Sequence, residues 1–344
     1  MTRQRKPENK GLPSRWRYYH GAYYFQVPPG LEPKWDGKKQ FRLGTTAPEA
    51  YRTWATRVEK QSEAKSIGDL LDRYSLEIVP TKAPRTQQLN QAAIAKLRAV
   101  FGCMPIDDLK PIHAFQYLDK RGQKAKTAAN REMEVLSHAY TKAIEWGLTE
   151  QHPIKGKVRK LSTPPRNRYV EDWEMIEALK VANPVIRVYV HLKLLTGLRR
   201  ADLLALRQTD LKEDGIHVQP RKTAGTTGRR LIIEWTPALR QAVDEALVER
   251  PKDIAPQVFC TRRGQSYLAS DGTATAWDSM WQRFMKKVLK ETKVKLRFTE
   301  HDLRAKCASD AETLEHAQRL LAHAHSATTQ RIYRRKPDRV KPLR

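Results

Sequence analysis

Cysteine is scarce in this chain. Cys103, Cys260 and Cys307 are the only three among 344 residues, with no CxxC pair and no metal-site spacing between them. So odd and low a count excludes a disulfide framework and points to a reducing compartment. Long apolar runs are missing as well. The most apolar stretch, residues 185–198, is interrupted by Arg187, His191 and Lys193 and is too short to span a bilayer. The first ten residues are polar and basic, without the apolar centre of a signal peptide. A cytoplasmic protein with no membrane association is expected. No GxxxxGKS or GxxxxGKT loop and no carboxylate cluster suited to magnesium is present, so no cofactor is expected.

Negative charge is also in short supply. Asp and Glu number 38 against 65 Lys and Arg, a net charge of +27. The basic excess runs along the whole length and is not gathered in one tail. That distribution suits several domains wrapping a nucleic acid. Hydrophobic residues make up 40% of the chain, enough for packed cores. At roughly 100–200 residues per domain, the length allows two or three domains.

Residues 1–14 are basic and carry Pro7 and Pro13, as a flexible arm would. Arg15-Trp16-Arg17-Tyr18-Tyr19 and Tyr23-Tyr24-Phe25-Gln26-Val27 flank a His20-Gly21 turn, the pattern of a β-hairpin. Lys39-Gln40-Phe41-Arg42-Leu43 reads as a third strand. Thr46-Ala47-Pro48-Glu49 is a capping box that opens a helix through residue 58. Alternate strand residues face opposite sides, so the aromatics can form a small core while arginines line a DNA-binding face.

Helical periodicity follows over residues 65–155. Ser66 is a plausible N-cap before Leu70, Leu71, Tyr74 and Ile78. A second helix covers 85–101 up to Gly102, a third follows Pro111, and Thr127 caps a fourth that runs to 146 before Gly147. The prolyl, basic run that ends in Pro164-Pro165, Arg166 and Arg168 reads as a linker. Beyond it, helices are expected over 170–182, 184–196, 202–207 and 277–292, and from Glu300, where Thr299 and Asp302 form a capping box. Short β runs at 216–219 and 230–234 bracket a flexible loop at 222–228.

Phosphodiester transfer needs a nucleophile, neutralisation of the transition state, an acid for the departing oxygen and in-line geometry. The last part of the chain offers candidates for each. Tyr333 can attack. Arg199 and Arg304 can fork onto phosphate oxygens. His301, one turn before Arg304, shares its helix face near a helix start that favours anions. Lys222, on the β-loop, can protonate a leaving oxygen. His301 and His323 can activate the phenol or bond the phosphate. Each residue also has an ordinary explanation. A histidine and arginine three apart are commonly surface chemistry, Lys222 a solvated loop lysine, Tyr333 a packed or solvated ring. His323 can be a satisfied core histidine, with His325 its competitor.

Their order and setting carry more weight. Thr196-Gly197-Leu198-Arg199-Arg200-Ala201-Asp202-Leu203-Leu204 resembles the first-arginine box of the tyrosine recombinases, the phage integrase family. Lys222-Thr223 is similar to its hairpin lysine. His301-Asp302-Leu303-Arg304 resembles its histidine–arginine box, and Leu320-Leu321-Ala322-His323 with Arg331-Ile332-Tyr333 its final box. Thr127-Ala128-Ala129-Asn130-Arg131-Glu132 and Gly11-Leu12-Pro13 with Phe41-Arg42-Leu43-Gly44 look like parts of the family's core-binding and arm-binding domains.

The resemblance implies a multidomain, mainly α protein. It would have an arm-type DNA-binding domain at 1–62 (three-stranded β-sheet plus helix) and an all-helical core-binding domain at 65–158. A basic linker at 159–168 would lead to a mixed α+β, mostly helical catalytic domain at 169–344. It further implies site-specific strand exchange through a 3′-phosphotyrosyl link to Tyr333. Arg199, Lys222, His301, Arg304 and His323 would complete the catalytic set. Expected partners are double-stranded DNA at core and arm attachment sites, a homo-tetramer on that DNA, a DNA-bending host factor and an excisionase. The compartment would be the bacterial cytoplasm, at the nucleoid when bound. Three positions depart from the family pattern: Asp202 stands where glutamate is commoner, Ala322 replaces a glycine, and Arg200 adjoins Arg199. Type IB topoisomerase-like relaxation and a non-cutting regulator descended from an integrase are the alternatives.

Overall fold

Strands form where aromatic residues alternate with arginine. The computed structural model describes residues 9, 12–29, 32–59, 66–251, 253–337 and 340–343. In it β1 (Trp16–Tyr19), β2 (Ala22–Gln26) and β3 (Gln40–Gly44) pair antiparallel in that order. The register sets Trp16, Phe25 and Phe41 in one row and Arg17, Tyr24 and Arg42 in the next. Trp16, Phe25, Trp35 and Leu43 form a small core with Ala50 of α1 (Ala47–Glu59). The opposite face leaves Arg17 and Arg42 exposed beside a stacked Tyr19–Tyr24 pair, centroids 4.3 Å apart. Most of the arm expected at 1–14 lies outside the described residues.

The helices α2 (Ile67–Glu77), α3 (Pro84–Phe101) and α4 (Pro111–Glu145) share a second core. Ser66 caps α2 as its sequence suggests: its Oγ accepts from Asp69 N at 3.2 Å, and the Asp69 carboxylate accepts from Ser66 N at 3.0 Å. The two helices expected after Pro111 and from Thr127 are both present within α4, separated by a kink at Ala125 (φ −161°, ψ 80°). Buried Glu132 spans the break, accepting from Tyr117 at 2.8 Å and from Arg121 at 3.1 Å, and so holds the two halves together. Asn130 grips the chain beyond, accepting from Leu161 N at 2.8 Å and donating to Leu161 O at 2.9 Å.

Contacts divide the chain into two units, Met1–Thr163 and Pro164–Arg344. The second begins with α5 (Asp172–Lys180), α6 (Pro184–Thr196) and α7 (Arg200–Ala205). A sheet follows, of β4 (Leu211–Lys212), β5 (Gly215–Val218) and β6 (Leu231–Glu234), with α8 (Ala224–Thr227) between β5 and β6. Then come α9 (Pro237–Val248), α10 (Thr275–Glu291), α11 (Glu300–Asp310), α12 (Leu314–Leu320), α13 (Ser326–Thr328) and a π-turn, Thr329–Tyr333. Tyr189, Trp277, Trp281 and Phe298 anchor the core.

Several elements differ from expectation. The helix predicted over 170–182 is shorter, because Glu171 and Glu174 close a capping box at its start. The one predicted over 202–207 starts earlier, with Arg199 as its N-cap. The flexible loop predicted at 222–228 coils into a turn, Arg221–Thr223, and then α8, closed by Gly228 at φ +59°. No expectation covered β4, α9 or α12, although α9 has a readable start: Thr236 Oγ1 accepts from Leu239 N at 3.1 Å, ahead of Pro237. The mainly α, multidomain architecture read from the sequence is the one observed. No described helix is long and apolar enough to cross a membrane.

Candidate active site

The site begins where α6 ends. Asn183 caps that helix by accepting from Ile186 N at 2.8 Å, and Gly197 stops it in the left-handed region at φ +59°. A Cβ on Gly197 would lie 2.8 Å from Leu321 Cδ2 and 3.0 Å from Cys307 Sγ, so conformation and space both require glycine. Two buried cations bind the carbonyls of this turn: Arg304 donates to Gly197 O and Lys193 to Leu198 O. Arg199 comes next in the chain. Its guanidinium lies 3.9 Å from Asp202, an ion pair too long for a hydrogen bond, in keeping with aspartate's short reach. The same carboxylate accepts from Arg221 N at 2.9 Å and so joins the Arg199 turn to the one that carries Lys222. Arg200 pairs with Asp278 and lies 3.8 Å from Glu300, which leaves Arg199 as the less committed of the two arginines.

The second arginine is set by a capping box. Thr299 Oγ1 accepts from Asp302 N at 3.3 Å, and Asp302 accepts from Thr299 N at 2.8 Å. With the start of α11 fixed, Arg304 points inward and is 3% exposed, while His301 stays at the open edge. Arg304 also donates to Leu321 O at 2.7 Å and to His323 Nε2 at 3.2 Å. All these partners are neutral. Burial first, then nearby Arg199, pulls the Arg304 guanidinium down to about 10, so it remains a cation at neutral pH.

The tyrosine is presented by the turn after α12. Ala322 adopts φ +52°, a left-handed conformation that glycine takes without strain and that costs alanine about 1–2 kcal/mol. The departure noted at Ala322 is therefore a real backbone effect. His323, two residues beyond Leu321, is buried, and its Nδ1–H donates to Thr329 Oγ1 at 2.9 Å. Its Nε2 must accept, because the guanidinium facing it has no acceptor atom. Burial, Arg304 and Arg199 push His323 down to about 4. His325 is exposed, at the start of α13.

Tyr333 lies between the two imidazoles, its ring centroid 5.0 Å from that of His301 and 4.7 Å from that of His323. Its hydroxyl is 3.0 Å from His301 Nε2, and its carbonyl accepts from Ser309 Oγ at 2.9 Å. Arg335 lies 3.3 Å from His301 Nδ1 and 2.6 Å from buried Asp302. Arg335 too has only donors, so Nδ1 accepts and His301 presents Nε2–H to the tyrosine oxygen. His301 is pushed down to about 4, by burial and then by Arg335. Its ring is exposed, so solvent screens that shift more than the one at His323.

Arg199, Lys222, His301, Arg304 and Tyr333 thus line one cavity of about 430 Å³, together with Lys193, Arg200 and Glu300. His323 sits against Tyr333 and Arg304, outside that lining. Lys222 is exposed at the mouth. Larger clefts of about 730 and 870 Å³ lie elsewhere and gather no such set. Sequence reasoning missed Lys193 and Arg335. A charge inside the most apolar run was the available signal for Lys193; Arg335, one basic residue among several near the end, had none. Chemically, the cavity offers Lys193, Arg199, Lys222 and Arg304 as cations with no carboxylate in hydrogen-bond contact among the described residues, a phenol and the neutral imidazole of His301, an arrangement suited to an anion that undergoes attack.

A family model described as the phage integrase family matches residues 172–339. An integrase of Mycobacterium phage D29 is 23% identical over 213 residues, 60% of this chain and 54% of that protein, so the chain spans little more than half its relative's length. Among solved structures, a lambda integrase dimer bound to a COC′ core site matches with a TM-score of 0.65 at 18% identity, covering 98% of this chain and 99% of that one. A lambda integrase tetramer bound to a Holliday junction matches at 0.61 and 18% identity, covering 92% of this chain and 97% of that one. The likenesses show a shared fold.

Proposed function

We propose that this chain, whose residues 172–339 match the phage integrase family, is a member of that family and a site-specific DNA recombinase that integrates and excises a phage or mobile element. The observation that carries the reading is the set of cations around Tyr333. Arg304 is buried among neutral partners, and Arg199 stands 3.9 Å from its only carboxylate among the described residues. A buried charge kept without a contact counter-ion is costly unless an anion completes the site. A scissile phosphate is that anion.

On this reading Tyr333 Oη attacks phosphorus and forms a 3′-phosphotyrosyl link. Arg199 and Arg304 neutralise the charge that builds on the equatorial oxygens. The phenol proton passes to solvent at the open edge of the cavity, and His301 Nε2–H donates to the tyrosine oxygen and favours the phenolate as it attacks. His323, with both nitrogens engaged, orients Arg304 and the turn that bears Tyr333. Lys222 gives a proton to the departing 5′ oxygen. A 5′ hydroxyl from a second duplex then reverses the step. One phosphodiester replaces another.

We assign residues 1–62 to arm-site binding through exposed Arg17 and Arg42 with half-buried Tyr24 between them, and residues 65–158 to the core site. The run 159–168 links them to the catalytic domain, 169–344. A homo-tetramer on DNA is inferred from the lambda relative. Double-stranded DNA at core and arm sites, a bending host factor and an excisionase complete the partners, in a bacterial cytoplasm at the nucleoid.

The test uses a pool of duplexes with a randomised core, nicked so that a cleaved end drifts away. A covalent protein–DNA adduct on a denaturing gel is expected from the unaltered chain. Tyr333→Phe should abolish it while binding persists. An adduct that survives in Tyr333→Phe would remove Tyr333 as the nucleophile. Relaxation of a supercoiled plasmid without exchange between two selected sites would make the protein a topoisomerase.

A further inference from the structure

Lys193 has no place in the scheme above, yet it lines the same cavity as Tyr333. It stands in the apolar run of α6 and is 1% exposed. Burying an ammonium is costly, and an apolar side chain of similar length would pack there at less cost. No carboxylate compensates it at ion-pair distance among the described residues. Glu300, the nearest in effect, is held by Tyr189 and by Trp277 Nε1 at 3.0 Å. What Lys193 does contact is the Leu198 carbonyl, on the peptide unit that leads into Arg199. Arg304 binds the preceding carbonyl, that of Gly197. Cations from α6 and α11 thus bind successive carbonyls of the turn that aims Arg199.

We infer that Lys193 is a positioning residue for strand cleavage: its ammonium fixes the Leu198 carbonyl and thereby the direction in which Arg199 reaches the scissile phosphate. The inference rests on the recombinase reading. The charge also adds to the field of a cavity that must hold an anion. The groups that face it are Tyr189 on its own helix, with the ring centroid 5.9 Å from Nζ, Asp202 on α7, and Glu300, Arg304 and Cys307 on α11. His301 feels its charge as well. Burial pulls Lys193 down to about 7, against the pull of Glu300 and Asp202 in the other direction. The ammonium is therefore complete on the acid side of neutrality and is lost as pH rises above 7, later when a phosphate anion is bound. A lysine that served only to finish α6 would stabilise the fold without linking cleavage to that proton.

The experiment takes a duplex selected from the randomised pool and measures single-turnover adduct formation at saturating DNA from pH 6 to 9. The unaltered chain, Lys193→Met and Lys193→Gln are compared, with duplex binding and thermal unfolding recorded for each. Misplacing Arg199 should slow Lys193→Met by roughly 10- to 100-fold at pH 6.5 with duplex binding retained. The deficit should shrink as pH rises and the unaltered chain loses its ammonium. Lys193→Gln, which keeps a donor without the charge, should fall between. Cleavage by Lys193→Met at the unaltered rate, or a deficit equal at every pH, overturns the inference. If both variants fail to fold, the unaltered chain decides: a rate that does not fall between pH 6.5 and 9 also overturns it. Absence of any adduct from the unaltered chain defeats the recombinase reading instead, and needs no variant to be seen.

Discussion

Acidification should release the tyrosine turn at His323. In the native chain this imidazole is 6% exposed, donates to Thr329 and accepts from Arg304. A second proton has no acceptor to face and would set an imidazolium against a guanidinium. The native group is accordingly pushed down to about 4, from an ordinary value of 6.5. Between those values the unfolded chain takes up a proton that the native chain refuses. The stability in question is whole above pH 6.5, falls as pH drops towards 4, and is flat below. At pH 5 the loss is about 1.36 kcal/mol per unit over about 1.5 units, or about 2 kcal/mol. For a unit the size of Pro164–Arg344 that is a fall of about 4–8 °C in Tm.

The assay is thermal unfolding of the full chain at pH 7.5 and pH 5, beside His323→Gln. Other acid-sensitive groups are common to both proteins, so the difference between the two pH responses isolates His323. The unaltered chain should lose about 2 kcal/mol more than the variant. Equal losses would refute the reasoning, because they would mean that His323 takes its proton without breaking its contacts. Adduct formation by the folded chain should decline only as pH approaches 4, where native His323 itself takes a proton and loses the contact that aligns Arg304.

Two further outcomes are expected. Gly197→Ala forces a methyl to 2.8 Å from Leu321 Cδ2 at φ +59°, so it should destabilise the chain by about 1–2 kcal/mol and remove most cleavage, read by unfolding and by the adduct gel. Arg335→Met leaves Asp302, whose side chain is 0% exposed, with Arg166 as its one remaining ion pair; a loss of about 3 kcal/mol on urea unfolding is expected, and a neutral result would show that Arg166 alone suffices.

Much of the fold was legible because its signals are local. Ser66, read as an N-cap, caps its helix and closes a box with Asp69, and the box read at Thr299 and Asp302 closes as well; in each the partners lie three residues apart. The His20-Gly21 turn sits between runs whose alternation alone sets the aromatic row and the Arg17, Tyr24 and Arg42 row on opposite faces. Two-residue β4 is too short to leave a pattern. The coil at Arg221–Thr223 depends on Asp202, nineteen positions earlier, which accepts from Arg221 N. No window of sequence around Lys222 contains that contact.

The candidate site divides in the same way. The order of Arg199, Lys222, His301, Arg304, His323 and Tyr333, and the departure at Ala322, were determined by the sequence alone, because residue identity and helical spacing need no partner. Only the tertiary structure decided what each group faces. Arg304 meets Gly197 across 107 positions, Arg335 reaches His301 across 34, and Lys193 meets the carbonyl that leads into Arg199. Those contacts set which nitrogen of His301 carries a proton and which arginine stays unneutralised. Such properties arise from burial and from the charge of neighbours remote in the chain, and only folding brings those neighbours within reach.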